Sequence, residues 1–460
     1  MAGSILTHTH FVGIGGAGMS SLAAILLQVG EAVSGCDLAP GPSTLPLAAR
    51  GVRIETGHSP EHLEGVDRLV VTGPAMGREE VTRARELGLP VLKRAELLGT
   101  LMNERRGIAV AGTHGKTTTT SLLAAMLIES GLDPTVLVGG VPAGWESGGR
   151  YGRGEWMVAE ADEYDRSFLH LHPEVAIVTG IEMDHPDIYS DLEEVKDAFG
   201  SFLGGMHQGG IAFVRAASPT ALHVARQVAG RQGLSIQTYG AVQDADWSPV
   251  VLHRTEGYTH FEVRHREVVI PDLRTALPGD YNLDHATAAA AVAHTAGASD
   301  EGIRAALAHF HGVGRRWETK GEARGVLVVD DYGHHPAAVE AMLRNARERY
   351  PDRKLWVVFQ PHTYSRTRQL LHEFAQALRL ADRAYVLDVY AAREQPDPEV
   401  SAERLAGLVD GAIYAGDVSQ ASRRIAADIG PGVLLVTMGA GDVTNLGPNV
   451  LELLRAGEAR

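Results

Sequence analysis

The strongest constraint on the fold is a recurrence: short, continuous apolar runs alternate with helix-like segments along nearly the whole chain. The runs fall at His10–Ile14, Arg68–Val71, Ile108–Ala111, Trp156–Ala159, Val175–Thr179, Val326–Val329, Leu355–Phe359, Ala384–Leu387 and Val433–Met438. They suit strands covered by helices on both faces, as in parallel sheets. The expected class is α/β, doubly wound, with more than one sheet. A chain of 460 residues is too long for one core. The polar stretch Asn103-Glu-Arg-Arg-Gly107 precedes a fresh strand, and His311-Gly-Val-Gly-Arg-Arg316 interrupts a helical pattern. The expected domains are therefore residues 1–105, 106–313 and 314–460. Alternating stretches such as His260-Phe-Glu-Val-Arg-His265 predict antiparallel strands appended to the middle domain.

Composition excludes some functions. A formal net charge of −15 argues against nonspecific binding to nucleic acid or to an anionic membrane surface. The single cysteine, Cys36, has no partner for an internal disulfide, which fits a reducing compartment and reads as a small buried hydrophobe. No run approaches the roughly 20 apolar residues that span a bilayer. Met1–His10 lacks a basic segment followed by an apolar stretch. The cytoplasm is the expected address, without membrane insertion, and the oligomeric expectation is a monomer or homodimer.

Two glycine clusters each follow a strand and open a helix. In Gly13-Ile-Gly15-Gly16-Ala17-Gly18 the glycines let the backbone approach a diphosphate at a helix N-terminus, and Asp37 follows about twenty residues later. That pattern alone most often means a nicotinamide cofactor, but it does not specify which diphosphate binds. The second cluster, Gly112-Thr113-His114-Gly115-Lys116-Thr117-Thr118, is more specific. It has glycines for close approach, a lysine for the β- and γ-phosphates and a hydroxyl for Mg²⁺, although Val110 replaces the first glycine of the strict pattern. As a loop residue, Lys116 is expected to be solvated and to carry little packing.

Further candidates sit at strand ends, where open α/β sheets bind ligands. Glu160-Ala-Asp162-Glu163 gathers carboxylates that repel one another unless a cation is near. Glu182-Met-Asp184-His185 offers further donors for a hard cation. The last third carries Gly314-Arg315-Arg316-Trp317, Asp330-Asp331-Tyr332-Gly333-His334-His335-Pro336, Phe359-Gln360-Pro361-His362-Thr363-Tyr364-Ser365-Arg366-Thr367-Arg368 and Asp388-Val-Tyr390-Ala-Ala-Arg393-Glu394. Arg366, Arg368 and Arg393 have the chemistry to hold a carboxylate or phosphate bidentately.

In that order along nearly the whole chain, these motifs resemble the Mur ligase family. The resemblance implies three domains: a Rossmann-like N-terminal domain for the UDP part of a substrate, a central P-loop ATPase domain and a Rossmann-like C-terminal domain for the amino acid. It implies ATP-dependent ligation of L-alanine to UDP-N-acetylmuramate through an acyl phosphate. The alternative is attachment of a recycled tripeptide to the same UDP-sugar. On this resemblance Gly112, Thr113, His114, Gly115, Lys116, Thr117 and Thr118 hold ATP, with Asn282 at adenine and Arg316 and Asp331 completing the nucleotide site. Thr117, Glu160 and His185 hold Mg²⁺. Gly15, Gly16, Ala17, Gly18, Asp37 and His335 face substrate, and Arg366 receives the alanine carboxylate. The implied catalytic set is Lys116, Glu160, His185 and Arg366. The chain departs from the family pattern at His285 and Gly180, where asparagine is usual, at Thr363, where arginine is frequent, and at Val71-Thr72-Gly73-Pro74, where serines are more common.

Overall fold

The structure, a computed structural model, describes residues 7–255, 257–392 and 394–456. Arg393, one of the three arginines singled out above, lies outside the described residues. The chain forms two compact units, one spanning Met1–Asp184 and Ile188–His311, the other Gly312–Arg460 together with His185–Asp187.

The first unit holds three sheets. Strands β1 (His8–Val12), β2 (Ala32–Asp37), β3 (Arg53–Thr56), β4 (Arg68–Val71) and β5 (Val91–Lys93) form a parallel sheet in the order β3-β2-β1-β4-β5. Strands β6 (Arg106–Ala111), β7 (Thr135–Leu137), β8 (Gly149–Arg150), β9 (Trp156–Glu160), β10 (Val175–Val178), β11 (Ile211–Arg215) and β12 (Ser235–Tyr239) form the second sheet, ordered β12-β11-β10-β6-β9-β7-β8. Only the short β8 runs antiparallel there. The alternating stretch forms an antiparallel meander of β13 (Ser248–Thr255), β14 (Tyr258–His265) and β15 (Val268–Thr275), as its period-two pattern predicts.

One apolar core connects the first two sheets, from Phe11, Leu22 and Leu26 to Ala109, Met157 and Phe202. Phe168 stacks on Phe202 at 5.0 Å between ring centroids and meets Phe199 edge-on at 5.1 Å. Such pairs add about 0.5–1.5 kcal/mol each beyond area burial. They anchor the segment that follows the carboxylate cluster after β9.

The second unit is built on β16 (Glu318–Ala323), β17 (Val326–Asp331), β18 (Lys354–Phe359), β19 (Arg383–Leu387), β20 (Ile413–Gly416) and β21 (Val433–Met438), ordered β16-β17-β21-β18-β19-β20. Only β16 is antiparallel to its neighbour. Buried residues cover both faces: Val329, Val357 and Val436 on one, Val328, Val358 and Leu435 on the other. Two-sided burial explains why these strands read as continuous apolar runs. Every run singled out from sequence lies in or overlaps a strand. Among the described residues no helix is long and apolar enough to cross a membrane.

Candidate active site

The second glycine cluster leaves β6, which is flanked by β9 and β10 in the sheet, and opens the helix Lys116–Glu129. Its backbone requires glycine. Gly112 and Gly115 have φ of 134° and 80°, a region costly for other residues. A Cβ on Gly112 would overlap Thr179, and one on Gly115 would overlap the His285 imidazole. Thr113 donates its backbone N–H to Gly180 O at 3.0 Å, so the backbone at the Gly180 departure positions the loop. His285, another departure, is the side chain that packs on Gly115.

Lys116 is not a solvated loop lysine. Its ammonium is largely buried and donates to Glu163 Oε1 and Oε2 at 2.8 and 2.6 Å and to Gly112 O at 2.7 Å. The cation demanded by the carboxylate cluster is therefore this lysine. Burial pushes the Glu163 carboxyl up to about 7 against the opposing pull of Lys116. Burial works to lower the Lys116 ammonium, but attraction to Glu163, Asp162 and Glu160 prevails and holds it above its ordinary range. Tyr189 Oη donates to Glu163 O at 2.7 Å. Just beyond, Asp165 and Arg166 adopt φ of 52° and 53°. Left-handed backbone at non-glycine residues costs about 1–3 kcal/mol each and concentrates at functional sites.

Glu160 faces the same loop. Its Oε1 accepts from Thr117 Oγ1 at 3.1 Å and its Oε2 from Gly139 N at 2.8 Å. Two oxygen donors for a hard cation thus meet at the helix N-terminus. His114 lies 3.4 Å from Glu182, while Thr118 sits half-buried in the first helical turn. Asn282 is buried and donates Nδ2 to Pro278 O at 2.7 Å. His185 has φ of 55° and belongs with residues 186–187 to the second unit, whereas Thr117 and Glu160 belong to the first.

The first glycine cluster leaves β1, a central strand of its sheet. Gly13 has φ of 87° and faces Thr72, so the Val71–Pro74 departure contributes directly to loop packing. Gly15 N donates to Asp37 Oδ2 at 2.9 Å, and Ser43 Oγ donates to Gly15 O at 2.7 Å. Gly16 caps the helix Ala17–Val29, whose first residues are Ala17 and Gly18. A Cβ on Gly18 would lie 3.1 Å from Arg94 Nη1, and Arg94 pairs with Asp162 at 3.8 Å. Arg94 connects the surroundings of the two loops, and no motif announced it.

In the second unit Asp331 accepts from Trp317 N at 2.9 Å and Gly333 N at 2.8 Å, and burial lifts its carboxyl above the ordinary range. Arg315 and Arg316 divide roles. Arg315 donates to Gly439 O, Ala440 O and Gly441 O at 2.5, 3.2 and 3.0 Å. Arg316 lies 4.9 Å over the Tyr332 ring. His335 is the buried N-cap residue of Pro336–Arg349. Arg366 is only 3 % exposed, with His362 Nδ1 at 3.2 Å from its guanidinium. His362 also stacks with Tyr390 at 5.8 Å and meets His334 at 5.7 Å. The motifs contain these rings, and only the fold brings them together. Arg368, expected as an anion binder, instead pairs with Asp397 on the surface, because its position on the short helix Tyr364–Gln369 points it away from the buried face.

Three family models match successive parts of the chain. Residues 8–106 match "Mur ligase family, catalytic domain", 110–293 match "Mur ligase middle domain" and 315–441 match "Mur ligase, glutamate ligase domain". The UDP-N-acetylmuramate–L-alanine ligase of Kineococcus radiotolerans is 45% identical, covering 98% of this chain and 96% of that one. The enzyme of the same name from Anaeromyxobacter sp. is 42% identical, with 97% and 98% coverage. The crystal structure of the Thermotoga maritima UDP-N-acetylmuramate-alanine ligase superposes with a TM-score of 0.81 at 25% identity, covering 98% of this chain and 100% of that one. A murein peptide ligase from Psychrobacter arcticus gives 0.72 at 26% identity, with 97% and 98% coverage. Domain matches across the chain, together with full-length relatives of this identity, establish that the chain belongs to the Mur ligase family.

Proposed function

We infer that the chain joins L-alanine to UDP-N-acetylmuramate at the expense of ATP, an early cytoplasmic step of peptidoglycan synthesis. The observation that carries this reading is identity of 42–45% over 97–98% of the chain to two relatives bearing that name. The site chemistry is compatible. A carboxylate acylates poorly, so the muramoyl carboxylate takes the γ-phosphoryl group of ATP and ADP leaves. The amine of alanine then attacks the acyl phosphate, an amide forms and phosphate leaves.

The residues have distinct tasks in this reading. Lys116, held by Glu163 and Gly112 O, supplies fixed positive charge where two anions must approach. The N–H groups of Gly112–Thr118 cradle phosphates, with His114 at the loop edge and Asn282 at adenine; the family resemblance also gives Arg316 and Asp331 to the nucleotide. Gly15 to Gly18 and Asp37 take the UDP moiety. His335 faces substrate, and Arg366 takes the alanine carboxylate. The Thr117–Glu160 oxygen pair fits Mg²⁺, and the family resemblance adds His185 as a metal ligand. When bound, Mg²⁺ offsets phosphate charge.

The test is phosphate release from ATP on adding UDP-N-acetylmuramate and L-alanine together. Release that requires both substrates is expected; release indifferent to the UDP-sugar overturns the reading. A second reading, ligation of a recycled tripeptide, draws on the Psychrobacter arcticus likeness. The amine-binding unit decides between them because specificity is a difference of binding energies. L-alanine is expected to exceed L-alanyl-γ-D-glutamyl-diaminopimelate in kcat/KM, with glycine and L-serine weaker. The opposite order favours the tripeptide.

A further inference from the structure

The site described above leaves unused a group of five donors on the other face of the first sheet. His10 lies in β1, Cys36 near the end of β2, His58 and His62 on the segment after β3, and Glu80 in the helix Glu79–Glu86. Cys36 Sγ is 3.3 Å from both His58 Nδ1 and Glu80 Oε1. Glu80 Oε1 is 3.2 Å from His58 Nδ1 and 3.5 Å from His62 Nδ1. Donor atoms of His10, Cys36 and His62 also lie within 4.8 Å of one another. Val12, Leu63, Leu69, Val71 and Val81 form the apolar surroundings.

Hydrogen bonding leaves the group incomplete. Glu80 is fully buried; its Oε1 accepts from Ser59 N at 2.9 Å, but Oε2 has no hydrogen-bond partner among the described residues. His10 is also fully buried. Its Nδ1 meets Ser34 Oγ at 2.8 Å, while Nε2 has no such partner there. Buried polar atoms are nearly always matched, and an unmatched pair facing one cluster requires an explanation.

We propose that Cys36, His58 and Glu80 hold a divalent metal of the zinc class, with His62 and His10 as further donors at the edge of the set. The donor types select the metal: thiolate and imidazole favour zinc and its neighbours over Mg²⁺ or Ca²⁺. Zinc bonds of about 2.0–2.3 Å place tetrahedral neighbours about 3.3–3.8 Å apart. All three separations among Cys36, His58 and Glu80, 3.2–3.3 Å, are close to that spacing. One thiolate and one carboxylate balance the dication, so no net charge is buried. On binding, the Cys36 thiol loses its proton to solvent, a metal–sulfur bond forms and no electron is transferred. Ser34, at His10 Nδ1, orients that ring as outer partners of metal ligands do.

The site also connects to the first glycine loop. Cys36 O accepts the N–H of Gly13 at 2.8 Å and of Ile14 at 3.1 Å. A metal here fastens β1, β2, the segment after β3 and the helix Glu79–Glu86 behind that loop. It is separate from the Thr117–Glu160 pair, with a donor set suited to a different metal.

The experiment uses full-length protein stripped with a chelator and titrated with Co²⁺, then Zn²⁺. Because Cys36 is the chain's only cysteine, a thiolate-to-cobalt charge-transfer band reports this site alone. The expected result is that band at one Co²⁺ per chain, its loss on adding Zn²⁺, and a higher melting temperature with Zn²⁺. Cys36→Ser removes the band. His58→Asn keeps the thiol but weakens Zn²⁺ binding at least about tenfold, so the proposal stays testable if Cys36→Ser misfolds. Absence of the charge-transfer band, or Zn²⁺ affinity unchanged in His58→Asn, overturns it.

Discussion

The two glycine loops share a pattern and differ in electrostatics. Each leaves a central strand, uses glycine at positive φ and opens a helix of 13 or 14 residues. At the first, a carboxylate already engages the backbone: Asp37 accepts from Gly15 N. At the second, Lys116 sits inside the loop with a buried carboxylate behind it. Similar backbones thus offer different fields. A helix N-terminus attracts any anion, whereas the side chains around it set how much negative charge it accepts and where. The Asp37 arrangement suits a ligand that also presents hydroxyl donors, and the Lys116 arrangement suits a triphosphate undergoing transfer.

The largest test of this contrast is Lys116→Ala. We expect a loss of ATP-dependent phosphate release of about 10³-fold or more, because a fixed charge next to the transferred group is removed. The buried Glu163 would also lose its cation, so the melting temperature should fall, most clearly above pH 7, where Glu163 is ionised. Near-normal turnover would remove the distinction between the loops.

Gly115→Ala comes next. It places a side chain at φ of 80° and drives it into His285. An activity loss of about 10²-fold is expected from a misplaced loop. Pairing it with His285→Ala should relieve the overlap but not the backbone strain, giving partial recovery. Full recovery would show that the positive φ is unimportant there. At the first loop, Asp37→Asn should raise KM for UDP-N-acetylmuramate about tenfold, a loss of roughly 1.4 kcal/mol, while KM for ATP stays unchanged. A matching rise in KM for ATP would contradict the assignment of different ligands to the loops.

The smallest effect is a pH dependence. The folded-state Glu163 carboxyl is raised from 4.5 to about 7. A raised carboxyl favours folding when protonated, so its contribution is fully present below about pH 4.5 and is lost as pH rises through about 7. Melting temperatures measured across that window should decline in the parent protein, and Glu163→Gln should flatten this part of the slope. An unchanged slope would assign the pH dependence to other groups.

Sequence alone determined the α/β class, the strands covered on both faces and the two glycine loops. Each follows from local chemistry: continuous apolar runs, glycine where φ must be positive, and hydroxyl and lysine beside a strand end. The Mur ligase resemblance extended that reading because the motif order is itself a linear property. Tertiary structure decided the partnerships. Glu163 lies 47 residues from Lys116, and their pairing makes a presumed surface lysine a buried ion pair. Arg94 reaches the neighbourhood of both loops without any motif around it, and His285 reads as a departure until it is seen packed on Gly115. Arg366 and Arg368 are two residues apart, yet one is buried beside His362 and the other forms an exposed ion pair, since neighbouring positions on a helix point in different directions. Cys36, read as an inert buried thiol, lies among three histidines and a carboxylate drawn from other elements. Spacing along the chain fixes backbone form over short stretches, whereas charge balance depends on groups that folding brings together from distant positions.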